Sequence, residues 1–175
     1  MRKIMFLTSL LMLLPFCKVN AGEDDGTEKY DSLLLQSGEL APDFTITNDQ
    51  YPQGVALSSF KGKLVVLEFW ASWCPDCRKI TPSMAELYKK FSPKDVVFVG
   101  VSFDTDKEQW QSYTKKNGME WIQYSELKKW KKETTIDRPY KVNWIPTMYL
   151  IGKDGRIVLG TVSMAKLARA LEAAQ

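Results

Sequence analysis

The feature that most constrains this chain is an unbroken apolar strand pattern running into Cys74-Pro75-Asp76-Cys77, with a helical pattern leaving it. Lys63 to Trp70 reads Lys-Leu-Val-Val-Leu-Glu-Phe-Trp, apolar at both alternations except for Glu68. Such a strand needs cover on both faces, as a central strand with parallel neighbours has. The helical pattern after the cysteines ends near Phe91. A cysteine at a helix start is biased towards thiolate by the backbone N–H groups and the helix dipole. The second cysteine follows one turn along, close enough to close a disulfide. Zinc sites and haem attachment share the Cys-x-x-Cys spacing. With no histidine in the chain, and Arg78 standing where a haem-attachment histidine would be, haem is excluded. Structural zinc needs four Cys or His ligands, and the chain has 3 cysteines in all. A disulfide across two residues adds little stability through chain entropy, so a purely structural bond lacks a motive. A redox-active dithiol remains, with no metal and no cofactor.

The flanking residues carry a resemblance. Phe69-Trp70-Ala71-Ser72-Trp73-Cys74-Pro75-Asp76-Cys77, then Pro82, then Ile145-Pro146-Thr147, resemble the thioredoxin fold. Gly38-Glu39-Leu40-Ala41-Pro42-Asp43-Phe44 and the long insert before Pro146 resemble its extracytoplasmic TlpA/ResA-type branch. The resemblance runs from about Gly38 to the C-terminus. It implies an α/β fold with a mixed central sheet flanked by helices, an N-terminal hairpin, and an inserted helix–strand segment before a cis-proline.

Residues 1–21 read as an address label. Arg2 and Lys3 precede an apolar stretch from Ile4 to Leu14, too short to span a bilayer comfortably. Pro15 breaks it, and Val19-Asn20-Ala21 suits signal cleavage near Ala21. Cys17 offers lipid anchoring as an alternative, although Phe16 before it is bulky for that processing. Arg2, Lys3 and Lys18 are the only charged residues in this segment; without them the formal +3 becomes neutral. A neutral mature chain gives no reason to expect a nucleic acid or an anionic membrane as partner. Residues 22–37, acidic at first, read as a linker, and 38–175 as one domain with an adequate core.

Within the domain, Phe44–Thr47 and Val55–Leu57 form the expected hairpin, and Val96–Phe103 a second buried strand. Thr105-Asp106-Lys107-Glu108 has capping-box spacing and Asn117-Gly118 supplies a helix stop. Trp121–Tyr124 reads as a strand, Glu126 to about Thr134 as a helix, and Thr147–Ile151 with Arg156–Leu159 as a hairpin. Ser163 to Ala174 closes the chain as a helix burying Leu167 and Leu171. Pro82 inside the first long helix implies a kink at a cost of ~3 kcal/mol.

Cys74 is expected as the more exposed nucleophile and Cys77 as the resolving thiol. Pro75 and Asp76 tune the couple: Asp76 opposes thiolate formation while Arg78 and the dipole favour it. The resemblance places a cis peptide before Pro146, with the Ile145 backbone open to strand-like pairing with a substrate. Trp73 and Trp144 are candidate substrate platforms on the same surface, each with core packing as its plainer reading. Glu68 occupies the place where thioredoxins carry a proton-relaying aspartate beneath the disulfide. An acid in an apolar strand is costly unless paired or neutral, and burial raises its pKa towards the range of a useful base. Two departures stand out. Gly100 falls where thioredoxin has a lysine near that acid, and Ile80 falls where ResA-type proteins carry a glutamate.

The expected activity is extracytoplasmic, periplasmic or equivalent, thiol–disulfide exchange by a monomer. Its substrates would be exported disulfide-containing proteins, and a membrane electron donor would keep it reduced. A non-catalytic assembly module and a peroxiredoxin-type peroxidase are the alternatives. The peroxidase requires a Thr or Ser three residues before its cysteine, where Ala71 stands. Lys128-Lys129-Trp130-Lys131-Lys132 reads as a solvated helix face or a dock for an acidic partner.

Overall fold

A computed structural model describes residues 26–175; the expected signal segment, Cys17 and the cleavage site lie outside the described residues. The hydrophobic run Leu64–Trp70 becomes β3, and all seven of its residues are buried. On one side it pairs in parallel with β4 (Val96–Ser102), on the other antiparallel with β6 (Thr147–Ile151). β5 (Ile122–Ser125) adds in parallel to β4, and β7 (Ile157–Thr161) antiparallel to β6. The sheet order β5-β4-β3-β6-β7 is therefore mixed. A separate hairpin, β1 (Thr45–Ile46) with β2 (Val55–Ala56), precedes it. Its loop is tied to the sheet where the Asn48 amide donates to the Gln123 carbonyl at 2.9 Å.

Successive side chains of a strand point to opposite faces, so Val66, Glu68 and Trp70 share one face of β3. α2 (Pro75–Phe91) and α3 (Lys107–Lys116) cover it: the Trp70 ring lies 5.6 Å from Tyr113 of α3, whose hydroxyl is 3.3 Å from Thr81 of α2. Phe69 points the other way, into an aromatic cluster with Phe103, Tyr140 and Tyr149. α4 (Met164–Ala173) packs with Leu167 and Leu171 fully buried. α2 continues through Pro82 rather than ending at Thr81.

Three local readings are corrected. The stretch from Glu126 to Thr134 is not a helix. Leu127 and Lys131 have φ of 52° and 62°, the left-handed region, and the Glu126 carboxylate accepts from the N–H and hydroxyl of Thr135 at 2.8 and 2.7 Å. The turn that results lays the Trp130 ring flat on Phe103, 5.2 Å between centroids at 7°. The Lys128–Lys132 run is thus not a helix face; Lys131 donates to the Asn143 carbonyl at 3.0 Å. α3 is capped by Asp106, not Thr105: the Asp106 carboxylate accepts from Gln109 N–H at 2.9 Å.

The third concerns the acidic lead-in, which from Thr27 onward is part of the packed body. α1 (Glu28–Asp31) is followed by Leu34 and Leu35, both buried. Asp31 is buried too, accepting from Val162 N–H at 2.8 Å, the Thr161 hydroxyl at 3.0 Å and the Lys166 ammonium at 2.8 Å. The Leu33-Leu34-Leu35 run inside a polar segment was the available sign.

Candidate active site

β3 delivers the chain to the mouth of α2, and Cys74 is the residue that caps this helix. Its backbone is extended (φ −80°, ψ 119°), and its sulfur accepts the Cys77 N–H at 3.2 Å. One orphan donor of the helix start is thereby aimed at the sulfur where negative charge develops. Pro75 takes the first helical position, where its missing N–H has no consequence. Both cysteines are free thiols, and both are buried: Cys74 keeps 5% of its surface and Cys77 1%. Cys74 is the more accessible of the two, but it is buried rather than exposed as its place in the motif suggested.

The Ile145–Pro146 peptide is cis. It brings the Ile145 carbonyl 3.6 Å from the Cys74 sulfur, whose thiol donates to it. Ile145 and Pro146 are buried, whereas Trp73 and Trp144 on either side keep 47% and 41% of their surface. Two cavities of about 380 Å³ each are lined by residues next to the cysteines in the motif, Trp73 in one and Asp76 in the other. One is walled by Trp73, Phe103, Lys129 and Trp130, the other by Asp76, Ile80, Trp144 and Pro146. Of the four residues expected to bind substrate, Trp73 lines one cavity, Trp144 and Pro146 line the other, and Ile145 is buried with its carbonyl against Cys74; Trp130 lines the Trp73 cavity although sequence reading had placed it on a helix.

Asp76 and Arg78 do not oppose one another at the thiol. Asp76 pairs with Lys79 at 3.0 Å in an exposed ion pair. Arg78 turns back to donate to the Ser72 carbonyl at 2.5 Å and lies over the Tyr113 ring. Ser72 is held more firmly still by Asp104, an anchor the sequence reading passed over. The buried Asp104 carboxylate accepts from Ser72 N–H at 2.9 Å, the Ser72 hydroxyl at 2.6 Å and the Ser102 hydroxyl at 2.6 Å. The end of β4 thus fixes the loop two residues before the nucleophile.

Glu68 lies in β3 with 2% of its surface exposed. Its register partners are Gly100 in β4 and Met148 in β6, so no lysine stands beside it. Its Oε2 has no hydrogen-bond partner. Burial alone pushes its carboxyl up to about 8. Burial also drives the Cys77 thiol far above its ordinary value, aided by its hydrogen bond with Cys74 and by the charges of Cys74 and Glu68. That electrostatic coupling places the acid and the resolving thiol within one local field. The arrangement holds one thiol as the cap of a helix start and a second whose proton burial holds firmly. The buried Glu68 carboxyl, itself raised, acts on the second through its charge.

Residues 62–157 match the family model described as thioredoxin-like. The thiol-disulfide oxidoreductase ResA of Bacillus cereus (strain ZK / E33L) is 34% identical over 128 residues, covering 73% of this chain and 70% of that protein. ResA of Geobacillus kaustophilus (strain HTA426) is 29% identical over 174 residues, covering 98% of this chain and 95% of its own length. Among solved structures, the thioredoxin domain of a Bacteroides vulgatus thiol-disulfide oxidoreductase superposes with a TM-score of 0.70 at 29% identity. It covers 79% of this chain and 97% of that one. A thiol:disulfide interchange protein from Bacteroides sp. gives 0.67 at 29% identity, covering 79% and 90%.

Proposed function

From the premise that this chain belongs to the thioredoxin-like family and is a thiol–disulfide oxidoreductase, we propose that Cys74 and Cys77 reduce disulfides of exported proteins outside the cytoplasm. The single observation that carries this reading is the geometry of the pair: Cys74 caps α2, and its sulfur accepts the Cys77 N–H one turn along at 3.2 Å.

In the first step the Cys74 thiolate attacks one sulfur of the substrate disulfide. A Cys74–substrate bond forms and the other substrate sulfur leaves as thiolate. In the second step the Cys77 S–H bond breaks and its proton goes to Glu68. The Cys77 sulfur then bonds to the Cys74 sulfur, and the second substrate thiolate leaves. Both electrons have passed to the substrate, and the protein holds a disulfide that an extracytoplasmic or membrane electron donor reduces. Trp73, Trp144 and the Ile145-Pro146 turn form the substrate bed, with the Ile145 backbone available to an extended segment. Pro75 and Asp76 modulate the couple, Asp76 with its charge partly answered by Lys79.

The extracytoplasmic setting rests on the Arg2-Lys3 start, the apolar run to Leu14 and the cleavage pattern at Ala21. Dithiothreitol-driven reduction of insulin tests the activity. Wild-type protein is expected to accelerate it and Cys74→Ser to be inactive. Equal turbidity curves for the two would leave a binding module without turnover as the better reading.

A further inference from the structure

The place left by the missing lysine is filled from one strand further out. Glu68, Gly100 and Gln123 are register partners across β3, β4 and β5, so their Cα–Cβ directions share one face of the sheet. Gly100 has no side chain, and the Gln123 side chain lies over it. A Cβ built on Gly100 would stand 2.6 Å from Gln123 Oε1 and 3.1 Å from Nε2. The amide thus reaches across β4 towards the strand that carries Glu68. Both of its polar atoms are buried without a hydrogen-bond partner, as is Glu68 Oε2. Three unpartnered buried polar atoms along one line of a sheet require an explanation in a native protein.

We propose that Gln123 is a positioning residue for Glu68. On rotation of the two side chains, which are unpartnered in the structure, its amide would donate Nε2–H to the carboxylate and accept through Oε1 from the protonated acid. A lysine at Gly100 would favour only the ionised acid and lower its proton affinity. A neutral amide serves both states, so Glu68 stays able to take the Cys77 proton and give it up again. Gln123 also lines a cavity of about 360 Å³ open to solvent, together with Asn48 and Trp110. It therefore stands between the buried acid and water. The inference rests on the proposed second step, in which the Cys77 proton passes to Glu68 as the Cys74–Cys77 bond forms and the substrate thiolate leaves.

The groups facing this line are few. α2 presents the Cys77 thiol, whose proton the Glu68 charge helps to hold. β6 presents Met148, and the Tyr113 hydroxyl of α3 is engaged with Thr81. Asp49 and Lys107 line the same cavity as Gln123. Among the described residues no charged side chain shifts Glu68.

The test uses the mature protein and dithiobis(nitrobenzoic acid), which loses one coloured thiolate when Cys74 attacks its S–S bond and a second when Cys77 attacks the resulting mixed disulfide. Rates are followed by stopped flow between about pH 5 and 9 for wild type, Gln123→Leu and Gly100→Ala. Leucine removes two unpartnered polar atoms at similar volume, and the alanine Cβ displaces the amide without altering it. A hydrogen bond to the charged carboxylate is stronger than one to the neutral acid, so its loss raises the acid's proton affinity. Both variants are expected to move the rising limb of the second phase upward by about one pH unit and to leave the first phase's profile in place. In a Glu68→Gln background, Gln123→Leu is expected to produce no further shift. Unchanged second-phase profiles, equal shifts in both phases, or a shift that persists without Glu68 would overturn the role of Gln123. A wild type that releases only one thiolate would instead overturn the dithiol reading on which it stands.

Discussion

The burial of Glu68 bears on stability as well as on the chemistry proposed for it. Its folded-state pKa, about 8, lies far above the ~4.3 of an exposed glutamate. Below about pH 4 the acid is neutral in both the folded and unfolded states. Between about pH 4 and 8 the unfolded chain gives up this proton while the folded one keeps it, so stability falls with rising pH across that window and levels off above it. Glu68→Gln is expected to flatten that slope and to be more stable at pH 7 by on the order of 1–3 kcal/mol. Urea midpoints at about pH 5 and 8 check it. The same substitution should slow resolution of the mixed disulfide and abolish its rise towards pH 8, with attack by Cys74 nearly intact. Cys74 is also the thiol expected to alkylate first: brief iodoacetamide treatment and mass mapping should find label there. Preferential labelling of Cys77 would reverse the roles. Asp104→Ala strands the Ser72 N–H and hydroxyl together with the Ser102 hydroxyl. It is expected to destabilise by roughly 2–4 kcal/mol and to lower activity more than stability alone accounts for, because the loop carrying Cys74 loses its anchor.

At the scale of elements, what could be read in advance follows from how local each cause is. β3 announces itself because burial on both faces leaves a continuous apolar run, and α2 because its start carries the cysteines. The Glu68–Gly100 pairing was legible once β3 and β4 were recognised as parallel neighbours. The insert was not. Lys128–Lys132 has helical composition, but Trp130 is drawn onto Phe103 and Glu126 onto Thr135, tertiary contacts with no local signature. Asp104 and Gln123 escaped for the same reason: each acts on a residue far away in sequence. α1 was hidden by its acidic surroundings, although Leu34 and Leu35 bury against the domain and Asp31 ties it to the end of β7. Deleting residues up to Ser37 is therefore expected to lower Tm by several degrees or more, a loss a mere spacer would not produce. Thermal unfolding of the truncated and full mature chains compares the two directly.

The whole molecule joins a rigid five-stranded sheet to one reactive edge. The cysteine loop meets the cis-proline turn beyond the end of β3, and the insert's Trp130 lines a cavity with Trp73. The exported chain is expected to begin near Gly22, which N-terminal sequencing of that form would show; a lipidated Cys17 at the terminus would instead mean membrane anchoring. The most direct test of the division of labour is trapping. Cys77→Ala, mixed with a disulfide-bonded peptide, should accumulate a covalent adduct whose mass equals protein plus one peptide thiol. Proteolytic mapping should place the bond at Cys74. No adduct, or an adduct forming equally well when Cys74 is replaced and Cys77 kept, would contradict attack by Cys74 followed by resolution by Cys77.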